Sequence, residues 1–115
     1  MQTGIPSTFS LLGHQIDVVV IPAKDWKRSD CVGIWLPQLL RIEIKNTSRV
    51  TALQQVFCHE WVHAMLDMMS HPLSTDEQFV DQLGHLLQQS LTTFEMKNVR
   101  KKSNRRTNNC GFKKQ

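Results

Sequence analysis

The sequence predicts an α+β fold: a small antiparallel or mixed sheet of three to four strands packed on two long helices, followed by a disordered basic tail. Three observations carry this expectation. Leu40, Ile42 and Ile44 alternate with Arg41, Glu43 and Lys45, the period-two pattern of a strand with one buried face. Apolar residues then recur at helical spacing over two long stretches, one ending near Met69 and one near Lys97. From Lys97 onward there are eight basic residues (Lys97, Arg100, Lys101, Lys102, Arg105, Arg106, Lys113, Lys114) and no acidic one, a composition that does not bury a core.

A chain of 115 residues with a hydrophobic fraction of 40% is one domain by length and can build one core without staples. Residues 1–96 form that domain and residues 97–115 the tail. The net charge of +4 hides an asymmetry, because residues 1–96 hold six basic against ten acidic side chains. The tail reads as a solvated segment, with contact to nucleic acid or another polyanion as the alternative. Cys31, Cys58 and Cys110 are widely spaced and form no CxxC pair, which argues against a disulfide framework and for a reducing compartment. No basic, then apolar leader is visible, and no apolar run approaches the length of a membrane span. The expectation is a cytoplasmic protein with no membrane partner.

Taken in order, residues 9–12 and 15–21 are β-prone runs around a hairpin turn at Gly13-His14. Pro22 ends the second run, and residues 23–30 read as a polar loop. Residues 31–36 and 39–44 give two more strands around Pro37-Gln38. Asn46-Thr47-Ser48 offers an N-cap for the first helix. On a helical wheel, Leu53, Phe57, Trp61, Ala64 and Met68 share one face, while Val56, His59, His63 and Leu66 fall near the opposite one. A helix apolar almost all round belongs at the centre of the molecule. His71-Pro72-Leu73 breaks it. Ser74 or Thr75 then caps a second helix over residues 76–97, with an apolar stripe at Phe79, Val80, Leu83, Leu86, Leu87, Leu91 and Phe94.

The first helix carries His59-Glu60-Trp61-Val62-His63, an HExxH motif. Histidines four apart stand one turn above each other and can hold one metal ion, and the intervening Glu points about 100° away, where it can act on a water without becoming a ligand. A paired His-Glu-His inside so apolar a stretch is costly unless something satisfies it. Zinc is the expected ion, and a third protein ligand is needed. The position six residues after His63 is Met69, which excludes the metzincin continuation. On the second helix Glu77 and Asp81 are four apart on one face, and Gly84 continues that face, leaving room for another helix.

In this pairing of HExxH with Glu77-Gln78-Phe79-Val80-Asp81 the chain resembles the gluzincins, the thermolysin-like clan. Over roughly residues 30–94 it is closer to their small, single-domain members: minigluzincin, ImmA/IrrE-type and SprT-like proteins, many of them phage-encoded. The resemblance implies a zincin-like fold in which His59, His63 and Glu77 ligate Zn²⁺ and Asp81 orients His59 through its other ring nitrogen. It also implies a zinc metalloendopeptidase, with Glu60 as general base toward a protein or peptide substrate. Asp76 is a competing third ligand. One of the two strands before the first helix would offer an edge to an extended peptide. The chain departs from the larger members in having no Tyr to meet the oxyanion; His71 and His85 are the available donors. It also has no second lobe to wall the cleft. The alternative expectation is therefore a non-catalytic zinc-binding module acting through protein or nucleic-acid binding. Cys58, adjacent to His59, reads as a small core residue.

Overall fold

The computed structural model describes residues 4–97. Strands β1 (Thr8–Leu11), β2 (His14–Ile21), β3 (Gly33–Leu36) and β4 (Arg41–Lys45) precede helices α1 (Val50–Met68) and α2 (Glu77–Thr93). The four strands form one mixed sheet in the order β1-β2-β4-β3. β1 and β2 pair antiparallel, β2 and β4 parallel, and β3 returns antiparallel along β4. β3 is therefore an edge strand, although it precedes β4 in sequence. The expected α+β architecture is present; the tail from residue 98 onward lies outside the described residues. Among those residues no helix is long and apolar enough to cross a membrane.

The alternation in β4 does what its period demands: Ile42 and Ile44 are fully buried while Arg41, Glu43 and Lys45 face the other side of the sheet. There Glu43 meets Arg41 at 3.3 Å and Arg28 at 3.5 Å. Ile16, Val18, Ile42 and Ile44 pack on Phe57, Cys58 and Ala64 of α1, and each fully buried aliphatic contributes roughly 1.5–3 kcal/mol. Phe9, Phe57 and Trp61 add an aromatic cluster with centroids 5.7–6.3 Å apart. On the opposite flank of α1, Val62 and Leu66 pack on Val80 of α2. The sheet thus covers one side of α1 and α2 another, which is why α1 is apolar almost all round. Leu86, placed in the expected apolar stripe of α2, is 61% exposed.

Several boundaries differ from the sequence expectation, each for a local reason. The hairpin turns at Leu12-Gly13, both with positive φ (50° and 81°), so His14 already belongs to β2. β4 starts at Arg41 because Pro37–Leu39 forms a 3-10 turn and Leu40 is left-handed at φ 49°. No side chain caps α1: its N-cap is Arg49, and Thr47 Oγ1 accepts the Arg49 N–H at 3.1 Å, just outside the helix. α2 is capped by Asp76, whose carboxylate accepts the Phe79 N–H at 3.0 Å. Ser74 and Thr75 are instead held in a 3-10 turn begun by Pro72. α2 ends at Thr93 rather than near Lys97; Thr92 and Thr93 donate their hydroxyls back to the Gln88 and Gln89 carbonyls, and Phe94 is extended.

Leu12 occupies a left-handed position at φ 50° with 74% of its surface exposed. A leucine there is strained, whereas Asn tolerates that conformation. Leu12→Asn is expected to raise unfolding stability by about 1 kcal/mol, read as a higher urea midpoint at unchanged slope.

Candidate metal centre

The middle of α1 carries His59, Glu60 and His63, and the first turns of α2 bring Glu77 and Asp81 to them. The approach is close at Gly84. A Cβ built there would lie 3.2 Å from the backbone Cα and N of His59, so any other residue would require the two helices to give by a few tenths of an ångström at this level. Asp76 fixes the start of α2 as its cap and is not among the clustered donors. That leaves the Glu77 carboxylate over the two imidazoles.

The His59 and His63 rings sit 5.0 Å apart. His59 Nε2 is 3.1 Å from Glu77 Oε1, and His63 Nε2 is 3.2 Å from Glu77 Oε2. One donor atom from each of the three lies within 4.8 Å of the others, so the group can hold a metal ion. Two ligands at roughly 2.0–2.1 Å from a tetrahedral ion stand about 3.3 Å apart, and the imidazole–carboxylate separations match that spacing.

Proton bookkeeping points the same way. His63 Nδ1 lies 2.8 Å from the Ser74 carbonyl oxygen, which can only accept, so Nδ1 carries the proton. In the neutral ring Nε2 is then a bare lone pair facing the lone pairs of Glu77. His59 Nδ1 lies 3.5 Å from Asp81 Oδ1, with Nε2 toward Glu77. Acceptors held this close need positive charge between them, from a second ring proton or from a cation. A metal ion supplies it to all three donors at once.

Glu60 is built differently. It is 7% exposed, sits outside the ligand group, and lies beneath β3. A Cβ on Gly33 would meet Val56 Cγ1 at 2.5 Å, Glu60 Cγ at 3.2 Å and Glu60 Oε2 at 3.3 Å, so the missing side chain makes room for both residues. Burial pushes the Glu60 carboxyl above its ordinary range and the Glu77 charge adds to this, while His59, His63 and the Trp35 backbone N–H oppose it. An acid held in reserve by burial, beside a group able to hold a metal, is suited to taking up a proton.

A cleft of about 540 Å³ runs over the site, walled by β3 on one side and by Ser74, Thr75 and Glu77 on the other. Trp35 leans into it and donates its indole N–H to Asp67 Oδ2 at 2.9 Å. His71 and His85 are occupied elsewhere. His71 Nδ1 accepts the Leu73 N–H at 3.1 Å; His85 lies 2.9 Å from the Asp81 carbonyl and 2.6 Å from Gln55 Nε2. Neither lines the cleft. Cys58 is buried in the sheet-side core, and burial pushes its thiol up to about 11. Sequence reasoning brought His59, Glu60, His63, Glu77 and Asp81 together; it missed Gly33, Trp35, Asp67 and the Ser74 carbonyl. A lone glycine in a strand signals a close backbone approach, so Gly33 alone among these left a readable sign.

Two outcomes follow from this geometry. Asp81→Asn removes the carboxylate behind His59 and is expected to weaken metal binding by roughly 10–100-fold, measured by titration against a competing chelator. In chelator-treated protein, raising the folded Glu60 value above the ordinary 4.5 means that ionisation opposes folding. Glu60→Gln should therefore match wild type below that value and become the more stable protein as pH rises above it, because wild type loses stability until the folded value is passed. Thermal unfolding from pH 4 to pH 8 checks this, and a gap that shrinks with pH would contradict it. Comparison with protein families, characterised proteins and solved structures finds no match, so the function of the centre has to be argued from its own geometry.

Proposed function

We propose that the chain is a zinc-dependent metalloendopeptidase of the gluzincin type, in which His59, His63 and Glu77 hold Zn²⁺ and Glu60 is the general base. The observation that carries this reading is the separation of roles between two acids: Glu77 lies among the metal-capable donors, while Glu60 is buried beside them and outside the group. A purely structural site has no use for a second carboxylate held at such a cost in desolvation.

Zinc held by His59, His63 and Glu77 would supply Lewis-acid polarisation of the scissile carbonyl and a lowered water pKa. Glu60 would serve as the general base, taking a proton from the attacking water and returning it to the departing amine as the C–N bond breaks. Asp81 and the Ser74 carbonyl hold the two imidazoles with their Nε2 atoms toward Glu77. The Trp35 N–H and the gap at Gly33 set the Glu60 carboxylate in place. The unpaired edge of β3 beside the cleft suits an extended peptide added as a further strand.

A second reading, a non-catalytic zinc-binding module acting through protein or nucleic-acid contacts, is favoured by one observation. His71 and His85 are engaged away from the cleft, leaving neither of them to meet an oxyanion.

Zinc content by elemental analysis and turnover of a quenched fluorescent casein separate the two. The peptidase reading expects about one zinc per chain in wild type and in Glu60→Gln, with turnover lowered at least roughly 100-fold in the variant, the lower range for loss of a general base. Failure of zinc to load removes both readings. Full zinc with no hydrolysis of any protein substrate leaves the non-catalytic one.

A further inference from the structure

Four acidic side chains line the cleft, and neither Lys nor Arg does. Glu60 and Glu77 belong to the centre itself. The other two, Asp30 and Asp67, are exposed. Neither has a Lys or Arg partner among the described residues, and the nearby Arg28 is taken by Glu43 at 3.5 Å. Asp67 is also oriented, since the Trp35 indole N–H donates to its Oδ2 at 2.9 Å.

The β3 edge also lines the cleft, through Gly33, Ile34 and Trp35. The Lys45 N–H bonds the Val32 carbonyl at 2.9 Å, and Gly33 pairs with Ile44. In an antiparallel ladder the main-chain groups of Gly33 and Trp35 therefore point away from β4, toward the cleft side. The Trp35 N–H is used by Glu60; the Gly33 N–H and the Gly33 and Trp35 carbonyls face outward.

We propose that the cleft takes an extended peptide segment bearing Lys or Arg residues. The bond-breaking step rests on the peptidase reading above, but the selection of a basic segment does not. Asp30 and Asp67 are the specificity-determining residues. Exposed pairs of this kind are each worth roughly two- to fivefold in affinity at low salt, so the two together set a preference of about tenfold.

The test uses the zinc-loaded full chain carrying Glu60→Gln and two labelled peptides with the same apolar centre, one flanked by lysines and one by glutamates. Fluorescence anisotropy should give about tenfold tighter binding of the lysine peptide at about 50 mM salt, shrinking toward equality at about 500 mM, where screening is strong. Adding Asp30→Asn and Asp67→Asn should remove the preference with zinc content unchanged, since the amide introduced by Asp67→Asn keeps an oxygen for the Trp35 indole. Equal binding of both peptides, tighter binding of the glutamate peptide, binding of neither, or a preference that ignores salt and the double substitution would overturn the proposal. Cleavage by zinc-loaded wild type is scored separately. Preferential binding with no hydrolysis overturns the peptidase reading and leaves this one standing, whereas hydrolysis of both peptides at equal rates does the reverse.

Discussion

Everything at the centre depends on how closely two helix backbones approach. Gly84 presents only hydrogen to the backbone of His59, and a methyl group in its place would sit 3.2 Å from that backbone. Helices usually pack with axes about 8–10 Å apart, the spacing set by the side chains at the contact. A glycine at the crossing lets the two backbones meet without a side chain between them, and the turns before it carry Asp81 and Glu77 to the two imidazoles. A larger residue would require the helix pair to give by a few tenths of an ångström at the level of His59. The packing of Val62, Leu66 and Val80 holds the pair together, but the missing side chain fixes its distance.

A second glycine does similar work on the other side of α1. Gly33 lets the edge strand pass directly over Val56 and Glu60. The buried carboxylate is costly in isolation, and the cost is offset by the Trp35 N–H and by the partial positive character of the neighbouring imidazoles. α1 is thus held between two close approaches, one placing the donors of α2 and one placing Glu60. This explains why a helix bearing His, Glu and His can still lie at the centre of an apolar core.

The sequence made part of this legible. The alternation at residues 40–45 located β4 and its buried face, and the His and Glu spacings named the five side chains that the fold brings together. Gly84 was readable as a place for a helix to come close. What was not legible was mostly non-local or main-chain in origin. The parallel pairing of β2 with β4 depends on where β3 is set aside, which no window of sequence contains. The bond from His63 to the Ser74 carbonyl uses a group that every residue possesses. Asp76 could be read either as ligand or as cap, because a carboxylate at a helix start serves both chemistries; the turn begun by Pro72 decided for the cap. The contact of Trp35 with Asp67, thirty-two residues apart, leaves no local sign at all.

The order of the chain through the centre has a consequence for how the molecule is assembled. His59 and Glu77 are eighteen residues apart, and His63, the Ser74 carbonyl, Asp81 and Gly84 fall within or just beyond the same helix–turn–helix segment. The parallel pairing of Asp17 with Arg41 instead closes a longer stretch and cannot form until the intervening strand has been placed to one side. Short loops between helices close early, whereas parallel strand pairing is slow. The donor group therefore closes a shorter stretch of chain than the parallel β2–β4 pairing does. Glu60 acquires its surroundings only where β3 lies over α1, so the donor group and the buried acid depend on different parts of the fold.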